Sequence, residues 1–136
     1  MFRFHKKLII FNLLRLKNHN FINMNYKINL RSDFPIENDF DEICEMMDDG
    51  SQISKYAAIR VWMEEDVEGH LVIDGEWSTD DDLPAYEFMS EKFDSYDISS
   101  ALGDLRSDFG ISFEGNFSIE DNGIVRTYTD GGEEIS

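Results

Sequence analysis

The chain has 136 residues, a single cysteine and a formal net charge of −17. That length suits one domain with its own core, and a hydrophobic content of 41% with eleven Phe favours a folded globule over a disordered acidic tail. The lone thiol, Cys44, excludes an intramolecular disulfide and a C-x-x-C metal or redox motif, and it agrees with a reducing, cytoplasmic setting.

The charge is unevenly spread. Residues 1–32 carry seven Lys or Arg and no acid, whereas residues 33–136 carry five basic residues against all 29 acidic ones, a net of −24. A body this acidic repels phosphate backbones and anionic membranes, because binding to either rests on Lys and Arg. Neither a nucleic acid nor a membrane is therefore expected as a direct ligand. Residues 1–23 are rich in Phe, Ile, Asn, Lys and Leu and lack Gly, Ala, Val, Pro, Asp and Glu. Their apolar run is too short to span a bilayer, is broken by Asn12 and has no small-residue cleavage site. They read as translated AT-rich upstream DNA, a mis-assigned start before Met24, with 24–136 as one acidic α+β domain. A surface-lying basic helix is the alternative for this extension.

Along the body, residues 25–31 alternate Tyr26, Ile28 and Leu30 with polar residues, which predicts a first strand. Ser32, Asp33, Phe34 and Pro35 break it. Ile36, Phe40, Ile43, Cys44 and Met47 then recur at helical spacing before Gly50, predicting a helix over 36–49 with Cys44 as a buried structural thiol. Ile59, Val61 and Met63 alternate with Arg60, Trp62 and Glu64 across 56–65, and Leu71, Ile73 and Trp77 recur across 70–77 after a turn at 66–69. This predicts a hairpin of two strands. Residues 78–84 form a loop by composition, and 85–93 fit helix and strand equally. Ile98, Ala101, Leu102, Leu105 and Phe109 give a helical stripe over 96–108, with Asp94 or Ser95 as cap and Gly110 as stop; Gly103 inside it costs about 1 kcal/mol unless close packing requires it.

The stretch 111–129 has the clearest pattern. Ile111, Phe113, Gly115, Phe117 and Ile119 alternate with polar residues, Asp121, Asn122 and Gly123 supply a tight turn, and IVRTYT returns. The tail beyond Asp130 reads as frayed. The resulting order, β-α-β-β-α-β-β, predicts two helices on one face of an antiparallel sheet, a ferredoxin-like α+β sandwich with an added edge strand.

No sequence feature amounts to a catalytic or cofactor motif. His70 has no His or Cys partner at metal spacing, and no glycine-rich phosphate loop is present. Asp80, Asp81 and Asp82 suggest Ca²⁺, but Pro84 and Ala85 stand where an EF-hand needs an oxygen ligand and Gly. Accordingly neither metal, cofactor nor enzymatic activity is expected. What remains is acid: on a helix over 36–49, Glu37, Asp41, Glu45 and Asp48 fall on one stripe, with no Lys or Arg between Arg31 and Lys55. Like-charge crowding and the helix dipole together cost that helix about 1 kcal/mol.

The expected function is a small acidic module that blocks a basic protein surface. It would be an immunity protein or antitoxin on a nuclease, or a phage or plasmid nucleic-acid mimic in the channel of a nucleic-acid-binding protein. The expected contacts are Glu37, Asp41, Glu45 and Asp48, the loop Asp80, Asp81 and Asp82, and the aromatic anchors Trp62, Trp77 and Tyr86. A carboxylate-based metal-binding protein or an accessory subunit of an enzyme is the alternative. An acidic face kept only for solubility is the plainest reading of the same residues. No feature fixes an oligomeric state.

Overall fold

The computed structural model describes residues 24–49, 54–79 and 92–135. The basic segment 1–23, the carboxylates Asp80, Asp81 and Asp82, and Tyr86 lie outside the described residues. In chain order the elements are β1 (Met24–Ser32), α1 (Phe40–Asp49), α2 (Ser54–Val61), β2 (Met63–Glu65), β3 (Leu71–Ser78), α3 (Ser95–Phe109), β4 (Phe113–Asp121), β5 (Ile124–Tyr128) and β6 (Glu134–Ile135). The six strands form one antiparallel sheet in the order β2-β3-β1-β4-β5-β6. The class is α+β, and the described residues form three helices in place of the expected two and six strands in place of five.

Period-two alternation decides which side of the sheet is covered. Tyr26, Ile28 and Leu30 of β1, Leu71, Ile73 and Trp77 of β3, and Phe113, Phe117 and Ile119 of β4 are buried on one face. All three helices cover that face, through Ile43, Cys44 and Met47 of α1, Ala58 and Ile59 of α2, and Ile98, Ala101, Leu102 and Leu105 of α3. Lys27, Asn29, Asp74, Glu76, Glu114 and Asn116 project from the opposite face and are exposed. Lys27 pairs across the strands with Glu76, the opposite-charge arrangement that favours a fixed register. Between β4 and β5, Asn122 and Gly123 both take positive φ, 54° and 84°, as a two-residue turn demands.

Two expected elements differ. Helix α1 begins at Phe40, four residues after the expected start, and the Ile36 amide donates instead to the Gly69 carbonyl across the fold at 2.9 Å. Asp39 then supplies the start: its carbonyl accepts from Glu42 and Ile43, and its carboxylate accepts from the Asp41 amide. The strand expected over 56–65 is mostly helix α2, and only Met63–Glu65 pairs in the sheet. Ala58, Ile59 and Trp62 are buried at helical spacing, so the Ile59, Val61, Met63 alternation was coincidental. The tail expected to fray closes the sheet as β6, with Thr127 opposite Ile135. Helix α3 is close to expectation, with a reciprocal Asp94–Asp97 capping box and Gly110 in the left-handed conformation at its end. No atom comes within 4 Å of a Cβ placed at Gly103, so packing does not offset its cost.

Two tyrosines join the layers. The Tyr26 hydroxyl donates to the Phe93 carbonyl at 2.9 Å and accepts from its amide at 2.6 Å, fixing the chain as it enters α3. Tyr56 of α2 donates to the Asp104 carboxylate of α3. Burial, opposed only in part by the Phe93 hydrogen bond, pushes the Tyr26 phenol up to about 12. At Tyr56 the hydrogen bond to Asp104, with burial, also raises it to about 12. Both shifts favour the neutral phenol in the fold, so their stabilisation is complete below about pH 10, the unfolded value, and is lost as the pH rises towards 12. In an absorbance titration of the five tyrosines, two phenolates are expected only near pH 12, with unfolding in the same window. Ionisation of all five together at pH 10 in the folded protein would contradict the packing.

Candidate functional site

Among the described residues, the expected contact residues do not form one surface. Asp41, Glu45 and Asp48 lie on α1, at the spacing that places them on one side, and all three are exposed. Glu37 is exposed too, but it precedes the helix and belongs to the β1–α1 loop. Asp48 is relieved by tertiary structure: Arg60 of α2 donates to its carboxylate at 3.1 Å, a partner invisible to a scan of neighbours along the chain.

The aromatic anchors require correction. Trp62 is 1% exposed and Trp77 5%, so neither ring is presented to a second protein. Their rings stack at 6.1 Å, and Trp77 stacks on Tyr26 at 4.8 Å. Trp62 was expected outside because a strand over 56–65 puts it opposite the apolar set; on the helical turn that actually forms, it points inward. Cys44 is buried as expected, and burial, ahead of any nearby charge, pushes its thiol up, away from nucleophilic use.

An exposed aromatic that the sequence reading overlooked does occur. Phe34, in the turn after β1, is 76% exposed. Its loop is nonetheless tied down on both sides. The Asp33 amide donates to the Ser112 carbonyl at 2.9 Å, and the Ser112 hydroxyl donates to the Asp33 carboxylate at 2.7 Å. Buried Ser32 donates to the Phe34 carbonyl at 2.7 Å and accepts from the Leu71 amide at 3.0 Å. The Ile36 amide reaches the β2–β3 turn, which is itself organised by Asp66. That carboxylate accepts from the His70 and Glu68 amides and from Arg31. Burial opposes its charge, but these donors outweigh burial and hold it below the usual range. His70 serves the same corner, its Nδ1 lying 2.8 Å from the Ser32 carbonyl. A signal existed in the sequence: Ser-Asp-Phe-Pro places a large apolar side chain in a turn.

Beside Phe34 opens a cleft of about 300 Å³ between the β1–α1 loop and the α3–β4 turn, lined by Phe34, Pro35, Ile36 and Glu37 on one side and Phe109 and Ile111 on the other. Asp33, Asp39 and Asp108 are exposed in these same connections and at their edges. The described guanidinium groups are committed elsewhere. Each of the four arginines among the described residues is held by a carboxylate of this chain: Arg31 by Asp66 and Glu68, Arg60 by Asp48, Arg106 by Asp130 and Arg126 by Glu134. Such exposed pairs add little stability, but they remove the guanidinium groups that would otherwise meet phosphate.

Among the described residues, no group of three or more His, Cys, Asp or Glu stands close enough to hold a metal ion. None of the described helices is long and apolar enough to cross a membrane. No protein-family model, curated protein or solved structure matches the chain.

Proposed function

We propose that this chain is a small acidic protein-binding module that covers a basic surface of another protein, as an immunity protein, antitoxin or nucleic-acid mimic does. One observation carries the reading: a hydrogen-bonded loop presents Phe34 to solvent beside a cleft, amid carboxylates that no arginine among the described residues pairs with. A rigid aromatic anchor with a charged rim is the composition expected where a few residues supply binding energy and the field supplies steering. The contact set accordingly becomes Phe34, Glu37, Asp41 and Glu45. Asp48 drops to a structural role through Arg60, and Trp62 and Trp77 belong to the core. We further read the scaffold as a ferredoxin-like sandwich in which α2 is an inserted helix and β5 and β6 are added strands; the order β2-β3-β1-β4 supports this. The fold by itself implies no function.

The test uses the full chain as bait for basic proteins of the native host, at low and high salt, beside the variants Asp41→Lys with Glu45→Lys and Phe34→Ala. One basic protein is expected to be retained at low salt and released at high salt, because exposed charges are screened beyond about 10 Å at 0.1 M salt. The double charge reversal should abolish retention, and Phe34→Ala should weaken it at least tenfold, about 1.4 kcal/mol or more. Retention that neither variant alters, or that salt does not weaken, would defeat the reading.

A further inference from the structure

We infer that the cleft beside Phe34 is a socket for a single arginine side chain presented by the basic partner; the inference rests on the protein-binding reading above and specifies what that surface grips. Size comes first. At about 300 Å³ the cleft lies at the lower limit of ligand pockets, enough for one long side chain with its flanking backbone and too small for a nucleotide cofactor.

Its walls then select the chemistry. Phe109, Ile111, Pro35 and Ile36 form an apolar lining suited to the methylene stem of a long cationic side chain, which buries its stem and keeps its head polar. Glu37 provides a carboxylate at the lining for that head. Asp33, steadied by Ser112, adds a second negative group in the same loop. Every arginine among the described residues is engaged with a carboxylate other than Glu37.

Arginine is favoured over lysine for two reasons. The exposed ring of Phe34 offers a face on which a planar, weakly hydrated guanidinium can stack, while an ammonium is compact and holds its water. Guanidinium also meets a carboxylate through a fork of two parallel donors. The loop that carries Phe34 and Glu37 is hydrogen-bonded before any partner arrives, so little ordering cost remains at binding.

The experiment titrates the full chain at low salt with three acetylated, amidated tripeptides, Gly-Arg-Gly, Gly-Lys-Gly and Gly-norleucine-Gly, and follows the methyl resonances of Ile36 and Ile111. The arginine peptide is expected to shift both methyls saturably and to bind at least fivefold more tightly than either other peptide. Glu37→Gln and Phe34→Ala, both at exposed positions that leave the core intact, should each weaken it at least fivefold. Equal binding of the norleucine peptide would overturn the cationic assignment, and equal binding of the lysine peptide the choice of arginine. Absence of any saturable shift would overturn the socket itself. If the socket fails while Asp41→Lys with Glu45→Lys still abolishes capture of the basic partner, the protein-binding function stands and only its grip lies elsewhere.

Discussion

Replacing Gly115 with alanine is expected to cost about 2–6 kcal/mol, a large part of the total stability of a domain this size. Two effects add. Gly115 has φ +103°, a conformation that an L side chain adopts only with strain of about 1–3 kcal/mol. A Cβ there would also lie 2.2 Å from the Asn29 carbonyl oxygen and 3.3 Å from the Leu30 Cα. Those are backbone atoms of the paired strand β1, so relief requires the two central strands to separate, at a further 1–3 kcal/mol or so. Urea unfolding followed by circular dichroism measures the effect. Gly103→Ala is the control in the same series, since its Cβ meets nothing within 4 Å on a helix, where alanine gains up to about 1 kcal/mol. A Gly115→Ala midpoint as high as that of the parent chain would show that the β1–β4 register is not the one described.

The fold was legible wherever local pattern and tertiary demand coincide. For β1, β3 and β4 the alternation is set by burial on one face, and the turn at Asn122 and Gly123 that leads into β5 has the chemistry its backbone needs. Helix α3 was legible through Asp94 and Gly110, since its caps are written in the chain. Local pattern failed where tertiary contacts decide. Nothing near Ile36 reveals that its amide will bond Gly69 across the fold, or that Glu37 will lie in the loop pinned there, ahead of the helix. In α2 the apolar positions satisfy both periods, and two adjacent alanines, good helix formers, were outweighed by Ile59, Val61 and Met63.

The site was less legible than the fold for a related reason. Acidic composition declares a field but not its focus, because the focus depends on which carboxylates the arginines consume. Arg60 and Asp48 lie twelve positions apart, Arg106 and Asp130 twenty-four, and Arg31 and Asp66 thirty-five. Only the folded chain shows that Asp48, Asp66 and Asp130 are engaged and that α1 still presents Asp41 and Glu45. The exposure of an aromatic is likewise a tertiary quantity: Trp62 and Trp77, expected as anchors, lie in the core, and Phe34, expected only as part of a strand break, is exposed.

The sharpest separation of the two accounts of Trp62 comes from Trp62→Ala. As a surface anchor, Trp62 could be truncated with little loss of stability and a large loss of partner binding. As placed in the fold, its indole stacks on Trp77 and lies over Gly75, where a Cβ would come within 2.2 Å of the ring. Its backbone also joins α2 to the sheet: the amide donates to the Ile59 carbonyl at 3.2 Å, and the carbonyl accepts from the Asp74 amide at 3.1 Å. Truncation leaves a cavity bounded by a strand that cannot collapse, because β3 is paired on both sides, with β2 and β1. The expected loss is about 3–5 kcal/mol by denaturant unfolding, with the near-ultraviolet dichroism of the stacked aromatics diminished. Trp62→Phe should recover part of that loss, since a smaller ring still covers Gly75. A Trp62→Ala protein within 1 kcal/mol or so of the parent, yet deficient in partner capture, would return the tryptophan to the surface and overturn both the core and the Phe34-centred contact set.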